Sequence, residues 1–232
     1  MSLYLLIEII AIAVPLALSF ENNLQLYKRW IFVFAAIVLS MIPFLIWDII
    51  FAYRGVWGFN PDYHLNVLLL KLPLEEWLFF VIVPYCCIFT YYVFKFHFPK
   101  YHLNEKIARQ IGYALIFPAI ALAVVYFDRS YTAVNLLFFA LVSLVSLRWH
   151  SELFGRFLLV FPVLCVPFTL MNGILTGTGI EGEIVWYNSQ EIIGWRFGTI
   201  PFEDFFFAFS LILLNLFLLE KLEKRFKKTT PQ

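Results

Sequence analysis

Seven apolar runs, each near the roughly 20 residues that an α-helix needs to cross a bilayer, limit what this chain can fold into. They occupy residues 3–20, 30–53, 73–94, 111–127, 131–147, 157–175 and 201–219. In hydrocarbon a segment must satisfy its own backbone N–H and C=O groups, which leaves only helices or a closed barrel. Composition agrees with helices. The chain is 62% hydrophobic and only 14% charged, where a soluble domain is about a quarter charged. The sequence predicts an all-α integral membrane protein, one membrane domain of seven transmembrane helices over residues 1–232. The net charge of +1 says nothing about partners and no basic patch suggests nucleic acid; the apolar composition makes the lipid bilayer the partner. The first run lacks a basic segment ahead of it and is interrupted by Glu8, which suits a retained helix rather than a cleaved signal. Cys86, Cys87 and Cys165 fall inside apolar runs and are expected as buried thiols.

Within these runs one stretch is written twice. Pro73-Leu-Glu-Glu-Trp-Leu-Phe-Phe returns in the last run as Pro201-Phe-Glu-Asp-Phe-Phe-Phe-Ala. Proline suits the first helical position, and acids in the first turn meet the positive end of the helix dipole. The duplication divides the chain into repeat 1 (about residues 1–98), a connecting helix (about 107–128) and repeat 2 (about 131–222). A single connecting helix makes the two three-helix repeats parallel, related by an axis along the membrane normal. Lys and Arg number thirteen in the loops of one side, the tail with Lys228 included, and four on the other: Arg54, Lys71, Arg129 and Arg196. By the positive-inside rule the N-terminus lies outside and the C-terminus in the cytoplasm. Both proline motifs then open at the outer face.

Acids that face a membrane span are functional candidates, but each has a plainer explanation. With Pro73 at the first helical position, Glu75 can cap the helix start, as can Glu203 in the second copy. Glu76 and Asp204 stand one residue further on, about 100° around the helix, so one acid can cap while its neighbour faces the interior. Trp47-Asp48 and Met171-Asn172 occupy matching places near the ends of helices two and six. For Asp48 a hydrogen bond tying helix two to helix three and a catalytic role both stand. Trp77, Phe79 and Phe80 follow the first acids, and Phe205 and Phe207 follow the second. An acid beside aromatic faces suits carbocation chemistry, because the rings stabilise positive charge without capturing it. The long aromatic loops 51–72 and 176–200 read equally as interfacial belts and as lids. No histidine has a metal-ligand spacing, so no metal is expected.

Taken together, these residues resemble the integral-membrane lycopene β-cyclases in their fused, single-chain form. The resemblance rests on Pro73-Leu-Glu-Glu and Pro201-Phe-Glu-Asp with Trp47-Asp48, Arg54-Gly-Val-Trp57, Asn172-Gly-Ile-Leu-Thr176, Tyr187-Asn188 and Ile193-Gly-Trp-Arg196-Phe-Gly-Thr-Ile-Pro201. Trp195 departs from the family's second Gly-x-Arg stretch. The resemblance implies Glu75, Glu76, Glu203 and Asp204 as catalytic acids in one cavity. It implies Trp47, Asp48, Trp57, Trp77, Phe79, Phe80, Asn172, Thr176, Tyr187, Arg196, Phe205 and Phe207 as substrate-binding or supporting residues. The implied reaction protonates the ψ end of lycopene or a related linear carotenoid, closes a β-ionone ring through a carbocation, and loses a proton. No cofactor is expected, since the chain has no GxGxxG stretch. The family also implies the cell inner membrane, and other carotenoid-pathway enzymes as neighbours. Lycopene, a rod about as long as the hydrocarbon core is thick (about 30 Å), is expected to enter sideways from lipid, one end at a time. A rival reading is a small-molecule transporter of three-plus-one-plus-three architecture. A retinal photoreceptor would need a lysine within residues 201–219, and there is none.

Overall fold

The structure, a computed structural model, describes residues 2–227. Lys228 of the basic tail lies outside the described residues. Among the described residues the chain forms seven α-helices: α1 Leu3–Leu18, α2 Trp30–Arg54, α3 Leu74–His97, α4 Glu105–Val125, α5 Ser130–Trp149, α6 Ser151–Leu175 and α7 Glu203–Lys227. Six of them are long and apolar enough to cross a membrane. The seventh, α1, has 16 residues, about 24 Å at 1.5 Å per residue, which falls short of a full hydrocarbon core.

Polar residues set the helix ends, and they move two boundaries away from the apolar runs. α4 begins at Glu105 because the Asn104 side chain caps it, accepting from the Ile107 N–H at 2.8 Å. α6 begins at Ser151, with only His150 separating it from α5. Its first two turns carry Glu152 and Arg156, so hydropathy alone takes them for loop. In the structure Arg156 is buried, reaching the Pro99 carbonyl at 3.1 Å and Glu152 at 3.4 Å. The polar groups are satisfied locally, and the helix continues through them.

α3 and α7 form the centre of the bundle. α3 touches α1, α2, α6 and α7, while α7 touches α2, α3, α5 and α6. α4 packs outside, on α5 and α6. Small residues Ala108, Gly112, Ala119 and Ala123 line its buried face and let the backbones approach, the usual means of packing where lipid removes the hydrophobic drive between helices. Large apolar side chains such as Ile31, Val38, Leu141 and Leu170 point outward, as a lipid-facing surface requires. Between α2, α3, α5 and α7 the core is aromatic: Phe44 lies within 5.2 Å, centroid to centroid, of Trp47, Phe138 and Phe207.

At the end where α3 and α7 begin, the loops form three short antiparallel ribbons. β1 (Trp57–Phe59) pairs with β4 (Val185–Tyr187), β2 (Leu68–Leu69) with β3 (Leu72–Pro73), and β5 (Arg196–Phe197) with β6 (Ile200–Pro201). The last two ribbons are repeat equivalents: Leu68 pairs with Pro73 in one copy as Arg196 pairs with Pro201 in the other. The long loops are therefore structured, and they cross the end of the bundle.

Candidate active site

Each duplicated motif is a hairpin that feeds a helix. Pro73 is the last residue of β3 and the N-cap of α3, with extended backbone (φ −64°, ψ 154°). It is not the first helical residue, as the sequence suggests. The shift matters chemically, because a capping box needs an N–H on the cap residue and proline has none. The first acid of each pair makes a different connection. Glu75 Oε1 accepts from the Leu65 N–H at 2.8 Å and from the Ser2 hydroxyl at 2.6 Å. Glu203 Oε1 accepts from the Ile193 N–H at 2.7 Å and the Thr132 hydroxyl at 2.6 Å. Each backbone donor precedes its glutamate by the same stretch of chain, so Leu65 and Ile193 are themselves repeat equivalents. Glu75 and Glu203 thus fasten the preceding loop, and the N-cap of α1 or the first turn of α5, to the start of the next helix.

The second acid of each pair turns inward. Glu76 and Asp204 line one cavity with Asp48 and Asn172, walled by Trp57, Phe59, Phe79, Phe168, Tyr187 and Phe207. The free space is about 60 Å³, enough for a few waters. Its roof is the β1–β4 ribbon, so the loop aromatics Trp57 and Tyr187 serve the site. The two acids are held unequally. Asp204 Oδ1 accepts from the Tyr131 hydroxyl at 2.6 Å, and Oδ2 accepts from Asn172 Nδ2 at 2.8 Å and the Tyr187 hydroxyl at 3.0 Å. Glu76 accepts one bond, from the Tyr4 hydroxyl to Oε2 at 2.7 Å. Tyr187 lies outside the spans; burial, and after it the Asp204 charge, raise its hydroxyl well above the ordinary tyrosine range, so it remains a donor.

Of the four acids expected together, the structure brings two to the cavity and sets two behind it. Asp48 joins them, but its bond runs from Trp57 Nε1 to Oδ1 at 2.7 Å, tying α2 to β1 rather than to α3. Its Oδ2 has no partner. Phe79, Phe207, Trp57, Tyr187 and Asn172 face the same space. The remaining candidates lie elsewhere. Trp47 and Phe80 are in the aromatic core. Trp77 donates to the Leu69 carbonyl at 3.3 Å. Thr176 donates to the Asn172 carbonyl at 2.8 Å. Arg196 is exposed and holds the Thr199 carbonyl at 2.6 Å, and Phe205 packs edge-on against Phe168.

Tyr4 and Tyr131 escape a reading of the sequence, since tyrosines at span ends pass for interfacial rings. A signal was present: Tyr4-x3-Glu8 recurs as Tyr131-x3-Asn135, at almost the interval of the proline motifs. Each tyrosine holds the second acid of its own half. Glu8 and Asn135, one turn on, are fully buried. Asn135 Nδ2 donates to the Glu203 carbonyl at 2.6 Å, whereas neither carboxyl oxygen of Glu8 has a partner.

Compared with known proteins, the chain matches the lycopene cyclase family over residues 1–94 and 128–222. It belongs to that family. No curated protein and no solved structure matches it. Membership makes the chain a carotenoid cyclase of the membrane. The two matched segments hold the two proline motifs, and α4 lies wholly between them. In this lycopene cyclase family member the cavity therefore draws the second acid of one proline motif from each matched segment.

Proposed function

We propose that the protein closes β-ionone rings on the ψ ends of a linear carotenoid, with Glu76 as proton donor and Asp204 as proton acceptor. The observation that carries this is the unequal setting of two acids in one aromatic cavity. Three donors aimed at Asp204 match the acceptor capacity of a carboxylate. Glu76 receives a single donor, which leaves its other oxygen to carry a transferable proton.

In the proposed reaction the Glu76 carboxyl gives its proton to the terminal alkene. The resulting tertiary cation is attacked by the neighbouring double bond, which forms the ring bond and moves the charge onto a ring carbon. Asp204 removes a proton from the adjacent ring carbon, and the new double bond closes the sequence. The proton on Asp204 is then lost to water and Glu76 takes a new one from water, which restores both acids. Atoms and electrons balance as an isomerisation, and no redox equivalent enters. Trp57, Phe59, Phe79, Phe168 and Phe207 surround the passing charge, and an aromatic face within about 6 Å stabilises a cation.

The same reading sets the orientation. Arg54, Lys71, Arg129 and Arg196 lie at the cavity end, and the larger basic set lies at the other. The cavity therefore opens near the outer face of the cell inner membrane, with the C-terminus in the cytoplasm.

The test is expression beside a lycopene-producing pathway. The wild type should convert lycopene to γ- and β-carotene, and E76Q, inserted at equal level, should leave it linear. Cyclic product from E76Q at the wild-type rate removes Glu76 from the reaction.

A further inference from the structure

Directly below the acid cavity lies a second, apolar cavity of about 170 Å³. The two share Phe79, Phe168, Asn172, Leu175 and Phe207 as walls, so a polar head and an apolar stem adjoin across these side chains. Ala11 and Pro15 of α1 form one lip of the stem, and Pro167 and Met171 of α6 form the other. α3 and α7 make its floor, with Cys86 and Thr90 at the deep end. From Glu76 to Thr90 is fourteen residues of α3, about 21 Å along the helix axis.

On the opposite flank, among the described residues, side chains occupy the corresponding place. There Phe44, Trp47, Phe80 and Phe138 fill the space between α2, α3 and α5, and Phe207 closes it against α7. The lips on the open flank are held loosely by comparison, since α1 packs mainly on α3 and only lightly on α6. α1 is also the shortest of the seven helices.

We propose that this stem is the binding site for the polyene of a linear carotenoid, entered from lipid through the seam between α1 and α6. The inference rests on the cyclase reading and adds the route and the number of sites. Head and stem together run about 21 Å, which accepts the greater part of a rod comparable with the hydrocarbon core, about 30 Å. The far end stays in lipid while the near end reaches Glu76 and Asp204. One stem per chain means that the two ends are taken in turn, by release and re-entry, despite the duplicated motif.

Cys86 reports on the stem without touching the acids. It lines the deep end, and its thiol lies 3.5 Å from the Ala11 carbonyl. The experiment retains Cys86 alone (C87S, C165S) in an E76Q background, so that bound lycopene is not consumed, in lipid vesicles with a membrane-permeant maleimide. Cys86 should be alkylated, and lycopene should slow the alkylation at least tenfold. A cysteine placed at lipid-facing Ile31 should react at the same rate with and without lycopene. Equal rates at Cys86 in both conditions, or no alkylation in either, overturn the proposal. The cyclase reading is judged separately, by whether wild-type protein in the same vesicles turns lycopene over.

Discussion

Gly58 of β1 pairs with Trp186 of β4, and the two are separated by the same interval as Pro73 and Pro201. At this one pair a position of the duplicated chain faces its own counterpart, and the pairs on either side are exchanged. The register is symmetric about that pair, with Trp57 opposite Tyr187 and Phe59 opposite Val185. All four flanking residues line the acid cavity. The duplicated halves thus join in a roof over the site, and the symmetry fails at its centre. A Cβ on Gly58 would lie 2.4 Å from Cζ2 of the Trp186 ring, so a side chain on one strand excludes the indole on the other.

Substituting Gly58→Val should therefore push the Trp186 indole off the ribbon and loosen the roof. Overpacking of this kind costs about 1–3 kcal/mol. Cyclisation should fall several-fold, and the double variant G58V/W186A should recover much of it. Thermal unfolding and carotenoid extraction on all three variants read the cycle. A double variant no better than G58V would show that the clash is not with Trp186.

The acids that fasten the loops should separate from the acids that face the cavity. E75Q keeps an oxygen able to accept from Leu65 and Ser2, so it should fold and cyclise. E75A leaves the part-buried Leu65 N–H and the Ser2 hydroxyl without their acceptor, and should lower the yield of folded protein more than the rate per molecule. E203Q and E203A should behave alike. Loss of cyclisation in E75Q with normal folding would place Glu75 in the chemistry.

Much of this was legible in the sequence, and the part that was not has a physical cause. The seven helices follow from run length, and the acid pairs follow from the repeat. The hairpins did not, because Leu68–Leu69 and Leu72–Pro73 form a ribbon inside an apolar tract that looks like the approach to a span. Its turn uses Leu70 and Lys71 at positive φ, 53° and 66°, where leucine and lysine are uncommon. The second copy puts Gly198 (φ 63°) at the place of Leu70, a turn residue that sequence does announce. The division of labour within each acid pair was foreshadowed by helical angle alone. Its partners were not, since Ser2, Tyr4, Tyr131 and Thr132 stand at helix starts 71 to 73 residues away.

Acid should destabilise the opposite end of the bundle. Burial, and then Lys224, lower the His150 pKa below its ordinary value, with Glu220 acting the other way. The folded protein therefore binds this proton less tightly than the unfolded chain does. Stability from this group is present above the ordinary histidine pKa of about 6.5 and is lost as pH falls from there through the lower folded-state value. Thermal stability should drop between pH 8 and pH 5 by more in the wild type than in H150Q. An equal drop in both would remove His150 as a cause.

Isotope exchange separates the proposed donor from the proposed acceptor. In deuterated water the wild type should place one deuterium in each ring it forms, at the carbon that Glu76 protonates. E76Q has no proton to transfer, so its lycopene should remain both linear and unlabelled. D204N keeps the donor and loses the acceptor. Its substrate cation can form but leaves slowly toward product, and Glu76 then takes a proton back from the same carbon. That return exchanges hydrogen for deuterium without making a ring. Recovered lycopene from D204N should therefore carry deuterium while cyclic product falls by the roughly 10²–10⁴-fold typical of a lost general base. If D204N and E76Q both return unlabelled linear substrate, both residues act at or before protonation. If E76Q labels and D204N does not, the assignments are reversed, and the residue held by three donors is the acid.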